Sequence, residues 1–164
     1  MIKKRCICLF VENEIGALAR ISGLFSGKSY NVDTLTVGVT EDKSVSRMTI
    51  GLTSDDRTFE QIKKVLNRSI EVIKVVDYTD RTIHIKELMF VKISGCSDKD
   101  IEEIFRIAKV FHIAVIDYNQ KNVLVESVQT QDDNNRLIAL LEQYYSNRIE
   151  IVRGGTVAIE ALNE

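Results

Sequence analysis

A chain of 164 residues fits one ordinary domain or two small ones, and its 45% hydrophobic and 28% charged content is that of a soluble globular protein, which argues against wholesale disorder. A formal charge of −2, from 22 basic and 24 acidic residues, lacks the basic excess that a nucleic-acid partner requires. No apolar run is long enough to span a bilayer. The N-terminus turns from basic to apolar, then meets Glu12 and Glu14 with no small-residue cleavage pattern, which argues against a signal peptide.

Hydrophobic period gives strand, helix, strand, strand, helix, strand, and then the same order again. The first strand is expected over Lys4–Val11, and the first helix over Gly16–Gly27, with Leu18, Ile21, Leu24 and Phe25 on one face. Strands over Asn31–Gly38 and Val45–Thr53 flank the polar turn at 40–43. A helix at Arg57–Asn67 carries Phe59, Ile62, Val65 and Leu66 on one face, and the β-branched Glu71–Tyr78 closes the unit. In the second copy the strand Leu88–Ser94 precedes a helix at Asp98–Phe111. Strands Ile113–Tyr118 and Val123–Val128, a helix at Asp132–Tyr145 and a strand at Ile149–Leu162, interrupted by Gly154-Gly155, complete it. Residues 79–87 read as a short connection.

A period of roughly eighty residues is too long for a solenoid and suits two similar domains, 1–79 and 80–164. The expected class is α+β, with two ferredoxin-like βαββαβ domains in tandem, both helices of each on one sheet face. That topology puts the first and third strands at the centre and the second and fourth at the edges. The second strand, rich in Val32, Leu35, Val37 and Val39, has no Pro or Lys to block pairing, so its edge invites another copy. The first strand is apolar at both parities, Cys6, Cys8 and Phe10 against Ile7, Leu9 and Val11, so both faces of its sheet need cover. A homodimer with a continuous sheet, and a second layer from elsewhere in the assembly, meets both needs.

The stretch 11–18, Val-Glu-Asn-Glu-Ile-Gly-Ala-Leu, marks the passage from strand to helix. A glycine at a helix mouth leaves backbone N–H groups exposed and open to close approach. No lysine, histidine or nucleophile accompanies it, so the stretch is suited to holding a small anion rather than transforming it. Asn31 adds a neutral amide that can accept from an ammonium or donate to a carboxylate. An anion cradle beside an uncharged polar arm suits a free amino acid and points to sensing.

These residues carry a family resemblance. Glu-Asn-Glu-Ile-Gly-Ala-Leu-Ala-Arg at 12–20, Gly-Leu-Phe-Ser at 23–26, Tyr-Asn-Val at 30–32 and Leu-Thr-Val at 35–37 closely resemble an ACT domain. More narrowly they resemble the small, regulatory subunit of acetolactate synthase. The similarity runs on through Ser46-Arg47-Met48-Thr49-Ile50 and Phe59-Glu60-Gln61-Ile62, then more loosely through Lys86-Glu87-Leu88-Met89 and Ile116-Asp117 to Arg153-Gly154-Gly155. The resemblance implies a non-catalytic chain that activates a large subunit and conveys feedback inhibition by branched-chain amino acids, chiefly valine. It also implies that thiamine diphosphate, magnesium and FAD belong to that catalytic partner and none to this chain. The effector is expected between two N-terminal domains, on Asn13, Gly16 and Asn31 with Val32, and on the amides of Ile15, Ala17 and Leu18 at the helix mouth. Departures from the family pattern are Ser29 in place of a usual glycine (with Gly27 then able to end the helix), Ile15 in place of a common proline, and the segment 111–114. A cytoplasmic location follows from the same reading and from the three cysteines, an odd set in a chain too large to need disulfides.

The second copy has no glycine at its helix mouth. Ser97 or Asp98 is expected to cap it, and Asp100, Glu102 and Glu103 crowd its first turn, so no equivalent effector site is expected there. Cys6 and Cys8 read as packing residues, and His84 and His112 stand alone without a second ligand at metal spacing. Arg20 and Arg47 read as surface or interface ion-pair residues. Rival readings are a free-standing ACT-type sensor for a different enzyme and an acylphosphatase-like enzyme. The enzyme reading lacks the arginine-bearing phosphate loop it needs after the first strand.

Overall fold

The computed structural model describes residues 1–26 and 30–162. Gly27 and Ser29, singled out above, lie outside the described residues. Twelve elements follow one another in the described residues: β1 (Lys3–Glu12), α1 (Ala17–Ser26), β2 (Thr34–Val39), β3 (Val45–Ser54), α2 (Asp56–Asn67), β4 (Val72–Asp77), β5 (Ile83–Ser94), α3 (Asp98–Phe111), β6 (Ala114–Tyr118), β7 (Asn122–Gln129), α4 (Gln131–Tyr145) and β8 (Ile149–Glu160). They form two four-stranded sheets, ordered β2-β3-β1-β4 and β6-β7-β5-β8, so the βαββαβ unit occurs twice in tandem, with the expected strands at centre and edge. By their contacts the residues group into two compact units: Met1–His84 with the described residues from Thr156 onward, and Ile85–Gly155.

In the first unit β1 pairs antiparallel with β3 along its whole length, from Lys3 opposite Ser54 to Glu12 opposite Val45. Strand alternation then sorts the side chains. Ile7, Leu9 and Val11 of β1, with Met48, Ile50 and Leu52 of β3, meet Ile21 and Phe25 of α1 and Phe59, Ile62 and Leu66 of α2 in one buried cluster. Each such side chain contributes about 1.5–3 kcal/mol by leaving water. Helix α2 begins at Asp56, one residue ahead of the expected Arg57, because Asp55 caps it: its carboxylate accepts from the Thr58 amide at 2.9 Å.

The opposite parity, Cys6, Cys8 and Phe10, faces away from the helices. Part of its cover comes from the end of β8, which stands beside Phe10. The Thr34 and Thr36 hydroxyls of β2 bond the Thr156 hydroxyl at 3.0 Å and the Thr156 carbonyl at 2.7 Å, and Arg47 of β3 donates to the Ala158 carbonyl at 2.6 Å. Thr156 and Ala158 are buried while Val157 and Ile159 are exposed, the alternation of a strand with one face against protein.

In the second unit Met89, Val91 and Ile93 of β5 and Val123 and Val125 of β7 pack on Ile104 and Ile107 of α3 and Leu137, Leu141 and Tyr145 of α4. Glu87, 1% exposed, is held by Arg153 through two bonds of 3.0 and 2.7 Å and by the Asn134 amide at 2.9 Å, and Asn134 in turn accepts from Ser127 at 2.6 Å. A charge so deep is tolerated because each of its oxygens has a donor.

Two elements differ from expectation. β5 starts at Ile83, not Leu88: Ile83 and Ile85 alternate with His84 and Lys86, a two-residue period hidden by the polarity of the stretch. Gly154-Gly155 does not interrupt β8; Gly155 takes a left-handed φ of 77°, which the lack of a Cβ permits, and the strand continues.

Candidate functional site

The loop from β1 into α1 is set by Asn13 and Gly16. The Asn13 amide donates to the Ser44 carbonyl at 2.7 Å. Its side chain donates to the Lys43 carbonyl at 2.9 Å and accepts from the Ser46 hydroxyl at 2.9 Å, so the residue pins the loop to the β2–β3 hairpin. Gly16 has φ of 86°, a backbone that L side chains rarely adopt, and an added Cβ there would stand 3.1 Å from an Arg20 nitrogen. Positive φ here, more than helix propensity, explains the glycine.

The helix mouth is open. The Ala17 amide donates back to the Glu14 carbonyl at 3.2 Å, and the first helical bond runs from Arg20 to Gly16 at 3.0 Å. The amides of Leu18 and Ala19 therefore stand ahead of the ladder, at the positive end of the helix, which favours an anion. Arg20 adds a guanidinium beside Gly16 and is paired with Glu71. The Ser69 hydroxyl, with help from Arg20, holds the Glu71 carboxyl below the usual glutamate range, so the pair stays ionised. Ile15 is fully exposed and Leu18 nearly half so, while Ala17 is buried. Ile15 and Leu18 thus put aliphatic surface in water beside the helix mouth.

Asn31 lies elsewhere. Its side-chain nitrogen donates to Asp33 at 3.3 Å, and Asp33 is fixed by the Gly51 carbonyl, which accepts its amide at 2.8 Å, and by the Thr53 hydroxyl at 2.8 Å. The Asn31 carbonyl oxygen takes no partner among the described residues, which leaves an acceptor for an ammonium. Val32, half-buried, lines an apolar cleft of about 220 Å³ with Ile21, Phe25, Tyr30 and Leu35. Within one chain these seven residues form two groups. Asn13, Ile15, Gly16, Ala17 and Leu18 gather at the Ser46 end of β3; Asn31 and Val32 sit by its Gly51 end. Five residues of strand, roughly 17 Å, separate Ser46 from Gly51.

Arg47 is not the ion-pair residue expected. Half-buried, it donates to the Tyr78 hydroxyl at 3.1 Å and to the Ala158 carbonyl and stacks over Phe10, with no carboxylate partner among the described residues. Nothing in its sequence context signalled this, because the partner strand lies 111 positions away. Arg20 is an ion-pair residue, as expected.

The second unit's helix mouth is filled by its own residues. Ser97 and Asp100 form a reciprocal capping box, and Arg148 reaches the Gly95 carbonyl at 2.8 Å and Asp100 at 3.3 Å. Among the described residues no group of three His, Cys, Asp or Glu could hold a metal ion, and no helix is long and apolar enough to cross a membrane. Burial raises the Cys6 thiol to about 11 and the Cys8 thiol in the same direction, so neither is poised as a nucleophile.

Comparison with known proteins agrees along the whole chain. Residues 7–74 match the family model of the AHAS small subunit-like ACT domain, and residues 86–161 that of the small subunit of acetolactate synthase. An acetolactate synthase small subunit of Aquifex aeolicus is 37% identical over 158 residues, covering 96% of this chain and 81% of that protein. The isozyme 3 small subunit of Salmonella typhimurium is 34% identical over 95% of this chain and 94% of its own length. The crystal structure of the acetolactate synthase small subunit from Thermotoga maritima superposes with a TM-score of 0.87 at 28% identity, covering 99% of both chains. With the tandem βαββαβ fold and matches at this identity over nearly the full length, the chain belongs to the acetolactate synthase small-subunit family.

Proposed function

We propose that this chain is a non-catalytic regulatory subunit that binds and activates the large, thiamine-diphosphate-dependent subunit of acetolactate synthase in the cytoplasm. It conveys feedback inhibition by a branched-chain amino acid, with valine the foremost candidate. Thiamine diphosphate, magnesium and FAD are carried by the catalytic partner. The effector binds between the first units of a homodimer.

The observation that carries the effector reading is the separation of the two groups. The Asn13–Leu18 group supplies anion-favouring amides and an exposed aliphatic surface at one end of β3. The Asn31 group supplies a side-chain carbonyl with no partner among the described residues, and a cleft lined mainly by apolar side chains, at the other. β2 is an edge strand whose Leu35, Val37 and Val39 are exposed. A two-fold antiparallel pairing of β2 with its copy brings the start of one strand to the end of the other. Asn31 of one chain then meets the Asn13 loop of its partner, twice per dimer. The effector's carboxylate takes the helix-mouth amides, its ammonium the Asn31 carbonyl, and its side chain the surface of Ile15, Leu18 and Val32. A site made from two chains ties occupancy to how the chains associate, which is what an allosteric element needs.

The test is reconstitution with a thiamine-diphosphate-dependent acetolactate synthase large subunit. The expected result is co-purification, raised acetolactate formation, and loss of the added activity on titrating L-valine but not D-valine. Absence of both binding and activation would remove the assignment to this partner.

A further inference from the structure

The open face of the first sheet carries a built receptor for the end of β8. Thr34, Thr36, Arg47 and Tyr78 converge there: Thr34 and Thr36 bond the hydroxyl and the carbonyl of Thr156, and Arg47, held by the Tyr78 hydroxyl, clamps the Ala158 carbonyl. Gly51 belongs to the same receptor, because a Cβ there would come within 2.6 Å of the Thr34 hydroxyl that reaches Thr156. The segment is not a full partner for the sheet. Beside it, between β2 and residues 157–159, lies a cleft of about 520 Å³, so on this face it is held by a few polar contacts, while its backbone runs in β8 beside β5 and its end is tied by the Ala161 amide to the Thr82 carbonyl at 3.0 Å and by Arg81 to Glu160 at 3.0 Å. Its hold on this face, unlike its pairing with β5, is therefore cheaply loosened.

The receptor shares a strand with the helix mouth. Ser46, buried and bonded to Asn13, is the neighbour of Arg47 on β3, and the Asn13 side chain also holds the Lys43 carbonyl at the tip of the β2–β3 hairpin. Successive strand residues point to opposite faces. A ligand that fixes the Asn13 loop therefore fixes Ser46 on one side of β3 and, through the same backbone, the placement of Arg47 on the other.

We propose that residues 156–160 are the output strap of the effector site: occupancy at the helix mouth, passed through Asn13, Ser46 and Arg47, tightens the strap on the open face of the first sheet. The strap is the end of β8, whose residues from Ile149 to Gly155 belong to the second unit, so a change in its hold travels along its own backbone. This inference rests on the effector reading above and adds the route by which that site is read out.

The experiment is hydrogen–deuterium exchange of the full-length chain, with and without L-valine, alongside calorimetric titration of the same samples. Valine binding with at least about fivefold slower exchange across the amides of 156–160 is the expected result, the lower range of allosteric coupling. Arg47→Gln, and Thr36→Val as a milder second variant, are expected to speed strap exchange in the free chain and to bind valine more weakly, the reciprocal of the same coupling. In the reconstituted enzyme both keep activation but need more valine for inhibition. Valine binding with unchanged strap exchange in the unaltered chain overturns the strap and leaves the effector site standing. Absence of valine binding overturns the effector reading and the strap with it.

Discussion

Asn13 and Asn31 stand at opposite ends of the same central strand, one bonded to Ser46 and the other held through Asp33 to Gly51. Eighteen positions apart in sequence, they are separated because α1 carries the chain back along the sheet between them. A ligand the size of an amino acid cannot touch both in one chain, so the proposed effector site requires a second copy to supply the other half.

Gly16 is expected to be intolerant for two separable reasons. At φ of 86° any L side chain is strained, by about 1–2 kcal/mol. Gly16→Ala should therefore lower the unfolding free energy measured in urea by about 1–2 kcal/mol while weakening valine binding only modestly. Gly16→Asp should cost similar stability, abolish binding by placing a carboxylate at the helix mouth, and leave the circular dichroism spectrum folded. Equal valine affinity in a folded Gly16→Asp chain would contradict the site.

Glu87 and Arg153 should behave as a buried pair. Arg153→Met leaves the Glu87 carboxylate buried with two hydrogen bonds fewer, a loss of about 3–5 kcal/mol when one partner of such a pair is removed. The double change Glu87→Leu with Arg153→Met should recover most of it. Chemical denaturation of the three proteins decides, and a loss under 1 kcal/mol for Arg153→Met would show that the pair is not effectively buried.

Much of the fold was legible from local pattern, and the exceptions have physical causes. The helices at Asp98–Phe111 and Asp132–Tyr145 were readable because apolar residues recur on one face, with Ser97 a cap of the first; the Thr130 cap starts the second one residue earlier, at Gln131. The start of β5 was not, since Glu87 is buried as half of an ion pair whose other half, Arg153, lies 66 positions away. Alternation on β1 showed that Cys6, Cys8 and Phe10 need cover, but periodicity reports which residues are buried and not what buries them. The strap and the role of Arg47 were invisible for that reason. The helix mouth was legible because a glycine requirement and a polar loop are local; its separation from Asn31 is a property of the topology.

The thiols of β1 should be slow. With Cys6 raised from 9.0 to about 11, first by burial and then by Cys8, its thiolate fraction at pH 8 falls about 100-fold. Iodoacetamide should label it at least that much more slowly in the native chain than in urea. Equal rates would mean that the open face is not covered.

Acid should destabilise the first unit. Burial pushes the Asp77 carboxyl up, but the Thr79 amide at 2.9 Å and Lys63 at 3.0 Å outweigh it and hold the group below its ordinary 3.8; the Thr58 amide does the same for Asp55. Because folding favours the ionised forms, their stabilisation is fully present above about pH 5 and is lost as pH falls through the folded values. Tm should be flat from pH 7 to 5 and fall below pH 4, with Asp77→Asn lowering the plateau and shallowing the fall. A Tm that rises on acidification would contradict this sign.

The most direct measurement is calorimetry of mixed dimers. Gly16→Asp spoils the helix-mouth half and Asn31→Ala the carbonyl half, so each variant alone should bind no L-valine. When the two are unfolded together and refolded, mixed dimers carry one site with both faults and one with none. Valine binding is expected to return at the unaltered affinity, at one site per mixed dimer. If the mixture stays as silent as its components, both halves belong to a single chain or to no common site, and the interface sensor is wrong.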